Sequence, residues 1–324
     1  MRIAITGAAG MVGRKLTERL VAEGTLNGAP VESLHLQDIV PFEPPSASFG
    51  ITTETSDLAA PGVAKGLAAR NADLVFHLAG VVSGEAETNF DKGYSANLDG
   101  TRLLFDAIRL REAYVPRVVY SSSIAVFGAP FPLAIGDDFQ PVPLTSYGTQ
   151  KLIGELILTD YTRRGFMNGV ALRLPTICVR PGKPNLAASG FFSSIIREPL
   201  AGKEAILPVS RSVVHTHASP RSAVGFLLHA AALPSEAIGP RRAITLPGVA
   251  VSVDEQIEAL RRVAGDKPVA LIREEPDPAI SAIVDFWPQR FEATRATKLG
   301  FTAETSFDDI IRIHIEDELG GTLN

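Results

Sequence analysis

The stretch Thr6-Gly7-Ala8-Ala9-Gly10-Met11-Val12-Gly13 decides the fold. It follows a short β-branched run, Arg2–Thr6, and opens a segment, Met11–Glu23, in which Val12, Leu16 and Leu20 recur every fourth residue. The first reads as a strand and the second as a helix. Between them three glycines recur every third residue. Gly7 permits the tight turn out of the strand, Gly10 lets a ligand's phosphates approach the backbone, and Gly13 lets the helix lie close on the sheet. The N–H groups left free at the helix start, around Met11 and Val12, favour an anion. Strand, glycine turn and helix in this order point to a dinucleotide bound through its pyrophosphate.

On the C-terminal side of this turn, strand-like runs alternate with longer helical patterns. The strands are expected at Leu34–Asp38, Ile51–Thr55, Asp73–Leu78, Arg117–Ser121 and Gly169–Leu174. Long helices are expected over roughly Tyr94–Ala113 and from near Tyr147 to Gly165. This alternation predicts an α/β protein with a doubly wound parallel sheet, the Rossmann arrangement. Beyond Pro175 the regular periodicity stops, and Pro181, Gly182, Pro184 and Gly190 mark loops of the kind that cover a ligand pocket. A helix at Ser219–Leu233 and a strand at Arg242–Leu246 are expected to rejoin the sheet, and the chain after Val251 to form a smaller α/β lobe. The expected organisation is a nucleotide-binding domain over 1–175 plus about 213–248, interleaved with a substrate-binding lobe over about 176–212 and 249–324.

Composition narrows the function classes. The 324 residues carry 31 Lys and Arg against 36 Asp and Glu, a net charge of −5, which argues against a general nucleic-acid binder. The 45% hydrophobic and 21% charged fractions are those of a folded globule rather than a disordered chain. The single cysteine, Cys178, allows no internal disulfide and no cysteine-built zinc site, which fits a reducing compartment. No apolar run reaches the ~18 residues of a membrane span, and the Gly-broken start lacks the apolar core of a signal peptide. A cytoplasmic protein is expected, with neither nucleic acid nor membrane as a partner and no metal.

Asp38 closes the second strand, 25 residues after Gly13 where about 20 is usual, and the loop Asn27-Gly28-Ala29-Pro30 accounts for the excess. A carboxylate there accepts hydrogen bonds from a ribose 2′-hydroxyl and repels a 2′-phosphate, so NAD is expected in preference to NADP. Ile39, Val40 and Pro41 follow it, with no arginine to pair a phosphate, and Arg14-Lys15 reads as exposed helix surface. The second motif is Tyr147-Gly148-Thr149-Gln150-Lys151. Residues four apart share a helix face. A free phenol, with a pKa of ~10, is a poor base at neutral pH. A neighbouring ammonium favours the phenolate, and the tyrosine can then take an alcohol proton while hydride leaves the carbon. The third motif is Ser121-Ser122-Ser123 at the end of the fifth strand, where parallel sheets bind ligands. Ser123 is the candidate for holding the substrate oxygen, Ser122 is a second candidate, and Ser121 reads as loop.

These three motifs, in this order, resemble the extended short-chain dehydrogenase/reductase family, which includes nucleotide-sugar epimerases and dehydratases. Other segments carry the resemblance further. His77-Leu78-Ala79-Gly80 is similar to the family's strand-four element beside the cofactor, and Asp57-Leu58 to its adenine contact. Asn97 is similar to its central-helix asparagine, which supports the lysine, and Leu172-Arg173-Leu174-Pro175-Thr176 lies where the family passes the nicotinamide. The resemblance implies NAD-dependent chemistry by Tyr147, Lys151, Ser123 and Asn97, and a homodimer through the two long helices. Within the family, Val81–Glu87, Arg173–Gly182, Lys183-Pro184-Asn185 and Ser219-Pro220-Arg221 resemble members that oxidise a small sugar acid at C2. Phe127 stands where the sugar epimerases usually carry tyrosine, and 182–212 lacks an obvious aromatic to stack a uracil. The alternatives are a nucleotide-sugar 4-epimerase or dehydratase with tightly held NAD, and a non-enzymatic dinucleotide-sensing regulator.

A small sugar acid needs a cation or several N–H donors for its carboxylate. Arg180 is one candidate, since a guanidinium binds carboxylate through two parallel bonds; a salt bridge between lobes is its other reading. Ser83, Thr176 and Asn185 are candidates for sugar hydroxyls, with Ser123 and Tyr147 at the reacting one. Arg197 is expected to be an exposed charge on a packed helix. His215 and His217 share a strand face without a third metal ligand. His77 and Cys178 read as buried core residues, Trp287-Pro288 as a pocket cap or packing, and Ile310–Leu319 as a solvated terminal helix.

Overall fold

The computed structural model describes residues 1–182, 189–284 and 286–322. Its principal elements are β1 (Arg2–Thr6), α1 (Met11–Glu23), β2 (Ser33–Asp38), β3 (Gly50–Thr55), α2 (Val63–Ala69), β4 (Leu74–His77), α3 (Ser83–Thr88), α4 (Phe90–Gly93), α5 (Gly100–Arg109), β5 (Arg117–Ser123), α6 (Ser146–Arg163) and β6 (Asn168–Leu174). There follow β7 (Thr176–Ile177), α7 (Gly190–Leu200), β8 (Val214–Ala218), α8 (Pro220–Ala232), β9 (Ala243–Thr245), β10 (Val249–Ser252), α9 (Val253–Ala264) and α10 (Phe307–Glu318). Seven strands form the central sheet in the order β3-β2-β1-β4-β5-β6-β9. β1 runs parallel to β2 and β4, with Ile3 opposite both Leu34 and Leu74, and the β2–β3 and β4–β5 pairs are also parallel. Ile3, Ala4 and Ile5 are at most 1% exposed, as a strand covered by helices on both faces requires. The strand order reverses at β1, whose neighbours β2 and β4 lead in opposite directions, and open parallel sheets bind ligands beyond the carboxyl ends of the strands at such a point.

Two compact units account for the described residues. The first comprises Met1–Val126, Thr145–Arg173 and Val224–Ile244, and the second Phe127–Leu144, Leu174–Ala223 and Thr245–Asn324. Segments 127–144 and 213–223, expected in the nucleotide-binding domain, group with the second unit. In the first unit, Leu67, Leu104, Phe105, Ile108 and Leu158 pack on Val75, Val118 and Tyr120 of the sheet. The second unit has its own core, where Phe192, Ile195 and Ile196 meet Ile257, Leu260, Ile310 and Ile311. It also carries a three-stranded sheet, β7-β8-β10, in which Thr176 lies opposite His217 and His215 opposite Val251.

Three local expectations need correction. The helix expected over 94–113 begins as a π-helix, Tyr94–Asp99, and becomes α-helical only at Gly100. A π turn widens the helix by one residue and is frequent at functional sites. The terminal helix, expected to be solvated, is capped by Ser306 and buries Ile310, Ile311, His314 and Ile315, leaving its charges on the other face. Arg197 is not an exposed charge: its side chain is 10% exposed, pairs with Glu198 and donates to the carbonyl of Arg180 at 2.8 Å.

The approach of α6 to β5 sets where the helix can present its side chains. A Cβ on Gly154 would stand 2.6 Å from the Tyr120 hydroxyl and 2.9 Å from its Cζ, and Tyr120 is fully buried. Only a hydrogen at this position lets the helix lie so close. Gly154→Ala is expected to lose about 1–3 kcal/mol of stability through overpacking. A urea unfolding midpoint equal to that of the wild type would show instead that the helix has room to spare.

Candidate active site

The glycine turn is shaped for close approach. Gly7 has φ +75, and a Cβ there would stand 2.6 Å from the Ala79 nitrogen. A Cβ on Gly13 would fall 2.3 Å from the Gly7 carbonyl oxygen. Gly10 caps α1, and no side chain satisfies the N–H groups at this helix start, where Met11 and Val12 are half-buried. Asp38, 9% exposed, accepts from the amides of Ala9 at 2.8 Å and Val40 at 3.1 Å. Its carboxylate is therefore fixed beside the turn with acceptor capacity to spare. Arg14, exposed as expected, folds its Nε back onto the Ala9 carbonyl at 2.8 Å. Asp57 is exposed and accepts from the Ala59 amide, while Leu58 is packed in the core. Beyond β4, Leu78 donates to the Thr6 carbonyl at 3.0 Å, Leu78 and Ala79 are half-buried, and Gly80 is exposed. Free amides at a helix start with no acidic residue in its first turn, and an anchored carboxylate for ribose, suit a dinucleotide.

The start of α6 carries the second motif. Thr145 caps the helix by accepting from Gly148, and Glu87 accepts from the Ser146 amide at 2.6 Å. One turn on, Lys151 is 3% exposed, and its ammonium donates to the Ser121 carbonyl at 2.9 Å. The ammonium lies 5.0 Å from the centre of the Tyr120 ring and 5.8 Å from that of Tyr147. Burial pushes its pKa down to about 8, against the opposing pull of the Glu155 charge. Tyr147 itself is half-buried.

The serine run divides by side. The Ser121 hydroxyl reaches the His77 carbonyl at 3.2 Å. Ser122 is 3% exposed and donates to Glu155, which also binds Arg173 at 2.7 Å in a buried ion pair. That placement sets Ser122 into the core as a partner of the carboxylate. Ser123 stays half-buried, and its hydroxyl oxygen accepts from the Ala125 amide at 3.1 Å, leaving its proton for another group. Asn97 is fully buried on the π-helix, accepts from the Val81 amide at 2.9 Å and donates to Gln150 at 2.7 Å. Ser83, half-buried, opens α3 two residues after Val81.

His77 is a core residue, as expected. It is 0% exposed, with Nδ1 2.7 Å from the Thr6 hydroxyl and Nε2 2.8 Å from that of Thr101. Burial, and then the charge of Lys151, lower its pKa to about 3. In the second unit, Pro175 is buried, and the Thr176 hydroxyl lies 2.7 Å from His215 Nε2. Arg180, the candidate carboxylate partner, donates to the Ile177 carbonyl and the Ser189 hydroxyl, each at 3.0 Å. Asn185 lies outside the described residues. His215 is buried, its pKa lowered to about 4 mainly by burial, and its ring lies 5.3 Å from that of Trp287, which packs on the core. Burial likewise pushes the Cys178 thiol up to about 12. Among the described residues, no group of three or more His, Cys, Asp or Glu could hold a metal ion, and no helix is long and apolar enough to cross a membrane.

Four residues at this site escaped the sequence reading: Gln150, Glu155, Glu87 and Tyr120. Two had a local signal, since Gln150 directly precedes Lys151 and Glu155 stands one turn after it. Glu87 and Tyr120 act across the fold, where spacing gives no warning.

Comparison with known proteins places the chain in a family. The model of the NAD dependent epimerase/dehydratase family matches residues 3–221. A D-erythronate dehydrogenase of Cupriavidus necator is 45% identical over 322 residues, covering 98% of both chains. Another, from Haemophilus influenzae, is 38% identical over 319 residues, covering 98% of this chain and all of the relative, 100%. A solved structure described as the nucleoside-diphosphate-sugar epimerase from Agrobacterium tumefaciens superposes with a TM-score of 0.97 at 61% identity, covering 100% of this chain and 96% of that one. The chain belongs to the NAD-dependent epimerase/dehydratase family, and NAD is its cofactor.

Proposed function

We propose that this NAD-dependent oxidoreductase oxidises a small sugar acid at C2, converting D-erythronate to 2-oxo-tetronate (2-dehydro-D-erythronate). The observation that carries the reading is the near-complete coverage at 45% and 38% identity by two D-erythronate dehydrogenases. Tyr147 takes the proton of the C2 hydroxyl as the C2 hydride departs, and the carbonyl forms between them. NAD, when bound, accepts that hydride. Lys151 holds positive charge near the phenol, favouring the phenolate, and would hold the ribose of NAD. Ser123 donates to the reacting oxygen. Ser83, Thr176, Arg180 and Asn185 are the candidates for the acid's hydroxyls and carboxylate.

A nucleotide-sugar epimerase is the second reading, favoured by the description of the structure at 61% identity. Phe127, Phe191 and Phe192, the aromatics in the segments that the sequence comparison singled out, do not support it. Phe127 is 3% exposed and packs on Phe139 and Phe291, while Phe191 and Phe192 are 8% and 0% exposed within the second core. None of these rings is presented for stacking on a base.

Incubating the protein with NAD and D-erythronate is expected to release NADH, read at its absorbance band. Conversion of a UDP-sugar without free NADH would establish the epimerase instead. Tyr147→Phe is expected to keep NAD binding and to lose at least about 10²-fold in turnover; wild-type turnover would remove Tyr147 as the base. The buried ammonium also has a stability signature. Its pKa is about 8 when folded against the usual lysine value of 10.5, so the unfolded chain binds more protons between those values, and stability rises with pH across that window. Relative to Lys151→Met, the wild type is expected to gain stability from about pH 8 to 10.5, with a constant difference below pH 8. A pH-independent difference in unfolding free energy throughout would show that the lysine titrates normally.

A further inference from the structure

Gln150 lies inside the Tyr147–Lys151 motif, yet it is 0% exposed, and its side chain points away from any role that the motif spacing suggests. Its Oε1 accepts from Asn97 Nδ2 at 2.7 Å, and Asn97 Oδ1 accepts from the Val81 amide at 2.9 Å. Two side-chain amides thus link α6, the π-helix and the segment after β4. The far end of the link borders the cofactor loop: a Cβ on Gly80 would stand 2.5 Å from Asn97 Oδ1 and 3.5 Å from Lys151 Nζ. The near end has no slack. A Cβ on Gly93 would meet Gln150 Nε2 at 2.9 Å and Ala86 at 3.0 Å.

Gln150 Nε2 is buried and has no hydrogen-bond partner among the described residues. An unmet buried donor costs about 1–3 kcal/mol, and an apolar side chain of similar size would avoid that cost. What glutamine supplies and an apolar residue lacks is the acceptor for Asn97. An asparagine amide held at its oxygen alone can still swing about that one bond. The Val81 N–H can only donate, so it sets the Asn97 oxygen towards itself and the nitrogen towards Gln150, whose Oε1 anchors that second end.

We propose that Gln150 is a positioning residue that anchors the donor end of the Asn97 amide and thereby holds the Gly80–Val81 backbone against Lys151, on the nicotinamide side of the cofactor site. It touches neither cofactor nor substrate. Its action is confined to one half of the dinucleotide, because the glycine turn and Asp38 hold the other half through contacts that do not involve it. This requires only that NAD is the cofactor and not that D-erythronate is the substrate.

The test compares NADH with ADP, which lacks the nicotinamide half, on the full-length chain. Gln150→Leu is expected to weaken NADH binding about tenfold, as leaving the Asn97 donor unmet would, and to leave ADP binding within twofold of wild type. Equal losses for the two ligands would mark Gln150 as a packing residue and overturn the proposal, as would unchanged NADH binding. Should the leucine variant fold poorly, Gln150→Ala gives the same split with a smaller NADH loss. Hydrogen exchange followed by mass spectrometry supplies a ligand-free reading of either variant. Peptides containing Val81 should exchange faster than in the wild type, and unchanged exchange there would also overturn the proposal.

Discussion

A single buried ammonium organises the first unit. Lys151 has given up nearly all its water, and among the described residues no carboxylate lies within ion-pair distance of it. One backbone carbonyl and the faces of two tyrosine rings take the place of solvent. Such cation–π contacts gain strength when desolvated, though the depressed pKa shows that they do not fully offset the loss of hydration. The arrangement suits a lysine whose task is to bias a phenol. A directly paired carboxylate would cancel its field, whereas Glu155, occupied by Ser122 and Arg173, supports the charge from a turn away.

The sheet gives this cation its place. Because the strand order reverses at β1 and the strands run parallel, the turn after β1, the segment after β4 and the end of β5 come together at one edge of the sheet. Ser121 at the end of β5 holds the ammonium through its carbonyl, and the close approach of α6 over Tyr120 brings Lys151 within reach of it. Asp38, beside the glycine turn, is held in the same manner, its carboxylate fixed by two backbone amides rather than by a countercharge. In both places, backbone groups anchor the charged side chains.

Much of this was legible in the chain. The β1 and α1 boundaries follow from β-branching, glycine spacing and an apolar repeat, and they coincide with the observed elements. The Tyr147–Lys151 spacing placed both side chains on one helical face because helix geometry is local. The π turn at Tyr94–Asp99 was not legible, since one extra residue in a turn changes an apolar repeat too little to register. The fate of the three serines was likewise hidden. Which hydroxyl faces the core depends on Glu155 and Arg173, which lie 33 and 51 residues after Ser122. Arg197 was misread because its neighbours Ile195 and Ile196 suggested a helix with one outer face, whereas the Arg180 carbonyl and Glu198 allow its charge to be buried.

His77 carries a consequence of its own. The Thr101 hydroxyl has one proton, and it is committed to the Asn97 carbonyl at 2.7 Å. Towards the imidazole that oxygen can only accept, so Nε2 bears the ring proton and Nδ1 receives the proton of Thr6. The Thr6 oxygen is then left to accept from the Ala79 amide, 3.4 Å away. One tautomer satisfies every member of this relay, and an imidazolium, donating from both nitrogens, would set two protons against each other at Thr6. The middle of the sheet is therefore polar, directional and electrically neutral, a fixed array of dipoles running from the backbone after β4 to the first turns of the central helix.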